Sequence, residues 1–157
     1  MRRLHPLGSL ALAAAVLAGC SRPAEPAKAA AAPDQPPHGG AVVQLGDLYC
    51  LELVRDPAQG SLEAYVLDSE METFIRVSDP SFEIAATVAG KPQVLAFRPV
   101  ANPATGETAG QTSEFTAQAD WLKTADRFGA VLTRIDVRGH IYSAVAFPFP
   151  QGNRKDE

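Results

Sequence analysis

The sequence predicts an all-β fold of short antiparallel strands, and three observations carry the prediction. Short runs rich in Val, Ile, Phe and Tyr recur between turn signals along most of the chain. Within one of them, Phe82, Ile84, Ala86 and Val88 alternate with Glu83, Ala85 and Thr87, the period of a strand with one buried face. No amphipathic stretch is long enough to build a layer of helices.

Taken in order, residues 41–45 and 48–54 flank Gly46-Asp47, and the second run ends at Asp56-Pro57-Ala58-Gln59-Gly60. Residues 61–67 and 73–77 flank an acidic turn. The alternating run 82–88 turns through Gly90-Lys91-Pro92 into residues 93–100. A polar loop, 101–111, then leads to residues 112–118. Residues 128–137 and 140–147 flank Arg138-Gly139 as a closing hairpin. The one helical turn expected is 119–126, where Trp121 and Leu122 would plug one end of the core. These elements predict a single antiparallel β-sandwich of about seven to eight strands, immunoglobulin-like or cupredoxin-like in general architecture.

The first residues are of another kind. Arg2 and Arg3 give a basic start, residues 10–17 an apolar centre, and Leu17-Ala18-Gly19-Cys20 a close of small residues and one cysteine. The apolar run is too short for a bilayer span, which takes about 20 residues. It resembles the lipobox of bacterial lipoproteins. That resemblance implies a signal peptide over residues 1–19, cleavage before Cys20, and diacylglycerol and palmitate on Cys20. With Ser21 next, it implies an outer-membrane lipoprotein facing the periplasm. Residues 20–37, with five prolines after Cys20 and no large apolar side chain, read as an extended tether. One domain, residues 38–150, follows, and residues 151–157 form a charged tail.

Charge and motif content exclude several classes. Loss of Arg2 and Arg3 takes the formal charge from −4 to −6, and an acidic chain without a basic cluster does not fit a nucleic-acid binder. The partner expected is the membrane, through the lipid. No Gly-x-Ser-x-Gly elbow, His-Glu-x-x-His, phosphate loop or dinucleotide fingerprint occurs. Gly106-Glu107-Thr108-Ala109-Gly110 has no lysine and reads as an exposed connector. The chain is therefore expected not to be an enzyme.

With Cys20 lipidated, Cys50 has no disulfide partner. In Tyr49-Cys50-Leu51-Glu52-Leu53, alternation puts Cys50 and Glu52 on one face, away from Tyr49, Leu51 and Leu53, and so predicts a partly exposed thiol. His38 opens the domain beside Gly39-Gly40, and His140 follows the last hairpin turn. Were these elements neighbours, His38, Cys50, Glu52 and His140 would form a tetrahedral site for zinc, or without Glu52 for copper. The alternative is that they never meet. Asp68, Glu70 and Glu72 have the spacing of a calcium loop's first ligands, but Thr73 stands where a glycine is required, so a solvated hairpin tip is expected. Met71 in that tip is read either as folding back over an apolar edge or as a soft ligand.

Pro37-His38-Gly39-Gly40, residues 50–53, residues 64–68 and the closing strand with Phe147 resemble small extracytoplasmic β domains of bacterial lipoproteins, similar to modules beside periplasmic adaptor subunits of heavy-metal efflux systems. The resemblance covers residues 38–147, and it departs at Cys50, where those domains carry histidine. It implies a lipid-anchored envelope binding domain that handles zinc or copper for an envelope or efflux system. The alternative function is a protein interaction or structural module with no metal.

Overall fold

A computed structural model describes residues 35–154. The expected signal peptide, Cys20, most of the tether and residues 155–157 lie outside the described residues. Eight strands follow in order: β1 (Ala41–Leu45), β2 (Tyr49–Asp56), β3 (Ser61–Asp68), β4 (Phe82–Val88), β5 (Lys91–Pro99), β6 (Glu114–Gln118), β7 (Phe128–Val137) and β8 (His140–Phe149). The expected helical turn is a short 3-10 helix, Asp120–Lys123, whose Leu122 is buried and whose Trp121 packs edge-on against Phe128.

Residues 73–77 do not form the strand their composition predicts. They make isolated bridges only, Phe74 to Leu67 and Val77 to Thr112. The reason is competition for β3: the Val66 amide donates to the Ser113 carbonyl just ahead of β6, and the returning segment keeps only the Thr73 and Val66 carbonyl bonds to β3, with a reciprocal Val77–Thr112 pair beyond it.

All pairings are antiparallel, and the strands join in one sheet of order β1-β2-β3-β6-β5-β4-β7-β8. The expected division into two sandwich layers is not formed. β5 pairs with β4 from Lys91 to Phe97 and then, through Arg98 and Pro99, with β6, so one strand carries the sheet around the bend. The sheet curls into a nearly closed barrel. Its last side is completed after β8: the Asn153 amide donates to the Val42 carbonyl at 3.1 Å, and the Gln44 amide donates to Asn153 Oδ1 at 2.6 Å. Gly152 is required there, since a Cβ would lie 2.0 Å from the Val42 carbonyl oxygen. At the other end of the same seam, the rings of His140 and Tyr142 lean edge-on against Tyr49.

Alternation fills the interior with Val43, Leu51, Leu62, Ile84, Phe97 and Phe115 among others, all without exposed surface. Each such aliphatic or aromatic side chain contributes about 1.5–3 kcal/mol. β7 breaks the alternation once. Ile84 faces Leu132, but Glu83 faces Arg134, so Thr133 is an extra residue. This bulge brings Ile135 and Val137 inward and turns Arg134 outward.

The two halves of the outer surface differ. Outside β1, β2 and β3 lies a second apolar cluster of Val42, Cys50, Leu67 and Met71, with Tyr65 packed against it. Outside β5, β4, β7 and β8, one register row reads Val94, Ala85, Val131, Ala146, all exposed.

Candidate functional site

The site is built where the chain enters the barrel. Glu52, on the outer side of β2, has no exposed surface, and a buried carboxylate must be paired and hydrogen-bonded. Its Oε1 accepts the backbone amides of His38 at 2.7 Å and Gly40 at 2.9 Å, and its Oε2 lies 2.8 Å from His38 Nδ1. Gly40 permits this approach, because a Cβ would meet the Leu53 carbonyl oxygen at 2.6 Å and Val54 Cγ2 at 2.8 Å. A carboxylate that already accepts two amides accepts from Nδ1 as well, which fixes the imidazole tautomer and leaves Nε2 as the free nitrogen. The ring stacks on Tyr65 at 4.0 Å between centroids, with Phe74 tilted at 5.9 Å.

His38 thus stands at the wall of a cleft of about 360 Å³ lined also by Tyr65, Phe74, Arg76, Glu107 and Glu114. Glu107 is a structural anchor of its far side. It accepts the amide and hydroxyl of Ser113 at 2.9 and 2.7 Å and the hydroxyl of Thr105 at 2.7 Å, and Arg76 lies 3.6 Å away. Burial would raise this carboxyl, but those hydrogen bonds and the guanidinium hold it below its usual range. Arg76 also donates to the Thr105 carbonyl.

Glu114 is the contrary case. Among the described residues no group donates to its carboxylate, and burial, followed by the charges of Glu63 and Glu107, pushes it up although His38 opposes the shift. The Tyr65 hydroxyl donates to Glu63 at 2.9 Å. Its acidity is reduced by burial first, then by that bond and the surrounding carboxylates. The cleft therefore combines aromatic walls, one imidazole nitrogen and a surplus of negative charge.

Of the residues expected to share a metal site, the structure brings together His38 and Glu52 alone. Cys50 does lie on the Glu52 side of β2, but it is buried rather than partly exposed. Its thiol donates to the Asp68 carbonyl at 3.2 Å inside the second apolar cluster, and desolvation pushes it up to about 12. His140 sits on the barrel seam against Tyr49. Among the described residues no three His, Cys, Asp or Glu side chains are placed to hold a metal ion, so the expected site of His38, Cys50, Glu52 and His140 is not formed. Met71 folds back over the apolar cluster, buried and with φ of 61°. The hairpin tip around it is closed by Asp68. Burial raises that carboxyl, but the Thr73 side chain and the amides of Glu72, Thr73 and Met71 lower it further.

Sequence reasoning missed Glu107, taken with its glycine-rich neighbours as an exposed connector, and it missed Tyr65, Phe74 and Glu114. One signal was available: Tyr65 lies between the core residues Ala64 and Val66, and Glu114 next to the core residue Phe115, which places both on the outer side with Glu52. No family model, curated protein or solved structure matches the chain.

Proposed function

We propose that the chain is a lipid-anchored binding domain of the cell envelope, held through Cys20 on the periplasmic side of the outer membrane and without catalytic activity. Its ligand is a small organic cation bearing an ammonium group, bound in the His38 cleft. The observation that carries this reading is the Glu114 carboxylate, which meets no donor among the described residues, in a cleft walled by aromatic rings. An ammonium group there gains the carboxylate and the faces of Tyr65 or Phe74. The non-catalytic reading is supported by the hydroxyls of Ser113 and Thr105, which donate to Glu107 rather than to the imidazole. Anchoring rests on Leu17-Ala18-Gly19-Cys20.

A second reading, relay of zinc or copper, is favoured by the Nδ1 to Glu52 bond, since metal-ligating histidines have such a carboxylate behind them. It needs further donors from a partner protein.

Titration of the full chain with phenylethylammonium, read on the His38 ring by NMR, tests the first reading. Binding is expected in the wild type and about tenfold weaker in Glu114→Gln. Indifference of the wild type to the amine, or equal binding by the variant, rejects it. Zinc that shifts the His38 ring without any amine effect would transfer the site to the second reading. Labelled palmitate should enter the wild type and not Cys20→Ala, and equal labelling rejects the anchor.

A further inference from the structure

A second cleft, of about 490 Å³, opens where the β3–β4 connection meets the β7–β8 turn. It is lined by Arg76, Asp79, Pro80, Arg134, Asp136 and Arg138, with smaller neighbours. Three of the nine lysines and arginines among the described residues gather there, on a chain whose formal charge is negative. We infer that this cleft binds the phosphate or sulfate group of an organic anion, through Arg134 and Arg138, the Arg76 guanidinium being turned to Glu107 and the Thr105 carbonyl.

Three independent features place the guanidinium groups. The bulge at Thr133 re-aims Arg134, which regular alternation would have pointed at the core. Arg138 occupies the first central position of the β7–β8 turn with φ of 53°, ahead of Gly139 with φ of 89°. Asn or Gly is the usual residue there, and a long side chain in the left-handed region is strained. Arg138 Nε donates to the Arg76 carbonyl at 3.5 Å, which ties the turn to the facing wall.

The two carboxylates that line the cleft keep their charge but are turned to the backbone. Asp79 Oδ2 accepts the Asp136 amide at 3.0 Å, and Asp136 Oδ1 accepts the Gly139 amide at 2.7 Å, so both carboxylates brace the backbone. Among the described residues, neither Arg134 nor Arg138 has a carboxylate oxygen within ion-pair distance. Guanidinium groups so held suit a tetrahedral oxyanion, which each can meet with two parallel N–H donors. The cleft is larger than such a group, so the oxyanion belongs to a larger molecule, either a soluble ester or a lipid headgroup.

The test uses the full lipidated chain in maltoside micelles, with arginine Nε–H resonances as the readout. One arm adds glycerol 3-phosphate and the other dopes phosphatidic acid into the micelles. Movement of the Arg134 and Arg138 resonances in either arm is expected, and the arm with tighter binding identifies the source. The double variant Arg134→Gln, Arg138→Gln should bind at least about tenfold more weakly, while Arg98→Gln, on β5 away from the cleft, should bind as the wild type does. Unmoved resonances in both arms, or a double variant that binds like the wild type, overturns the inference.

Discussion

The outer surface of β1, β2 and β3 is padded, whereas that of β5, β4, β7 and β8 is bare, although the same alternation writes both. On the padded side, Cys50 and Glu52 have no exposed surface; on the bare side, Val94 is 63 % exposed. The difference arises outside the strands. The segment entering at His38 and the chain returning through Met71 and Phe74 both lie over the padded side. Alternation therefore decides which side of a strand a residue takes, and connections decide whether that side meets water. The His38 cleft exists only because of the padding.

The largest test of this contrast is a pair of substitutions. Glu52→Leu removes the acceptor of two backbone amides and of His38 Nδ1, and should cost about 3 kcal/mol in chemical denaturation. Glu83→Leu, on the bare side, should change stability by about 0.5 kcal/mol or less. Equal effects would mean that the carboxylate does not hold the padding in place. Next in size, Gly40→Ala drives a Cβ into the Leu53 carbonyl and should cost about 2 kcal/mol. Gly129→Ala, with nothing within 4 Å of the added atom, should be neutral or slightly stabilising.

A third prediction compares thiols. Cys50, with its pKa near 12, should stay unlabelled in the native state at pH 8.5, while a cysteine introduced as Ala85→Cys should react at least about a hundredfold faster. The sign for stability follows. The folded-state value lies above the unfolded one, so this contribution is complete below pH 9 and is lost as pH rises toward 12. Alkaline unfolding that is identical in Cys50→Ala would contradict the burial. The smallest effect is expected at Glu107. Its folded pKa is lowered, so its contribution is present above its ordinary value of 4.5 and is lost as pH falls below it. Glu107→Gln should cost about 1 kcal/mol at neutral pH and less under acid, read from urea midpoints across pH.

Most strands were legible because β-branched and aromatic runs ended at real turns. The exception, 73–77, has strand composition but lost its partner to Ser113. The Thr133 bulge was also written in the sequence, as an interval of three between Leu132 and Ile135 where two was the rule. The two layers expected of a sandwich failed because the double pairing of β5 is a matter of register, which composition does not encode. At the site, the shared face of Cys50 and Glu52 was readable from period two. Their burial was not, since Val42, Leu67 and Met71 come from other elements. The bond between His38 and Glu52 needed the glycine approach at Gly40, and Glu114 needed the β3–β6 pairing.

Asn153 belongs to a segment that composition marks as a tail, yet it occupies the free edge of β1. A strand edge recruits whatever extended chain comes first, and here the segment that follows β8 takes it. Proteolytic loss of residues 151–157 would leave each copy with a vacant acceptor groove beside Val42 and Gln44 and no donor to fill it. An intact copy would then be able to lend residues 151–154 to a truncated one, so partial nicking would give mixed pairs that full removal would not.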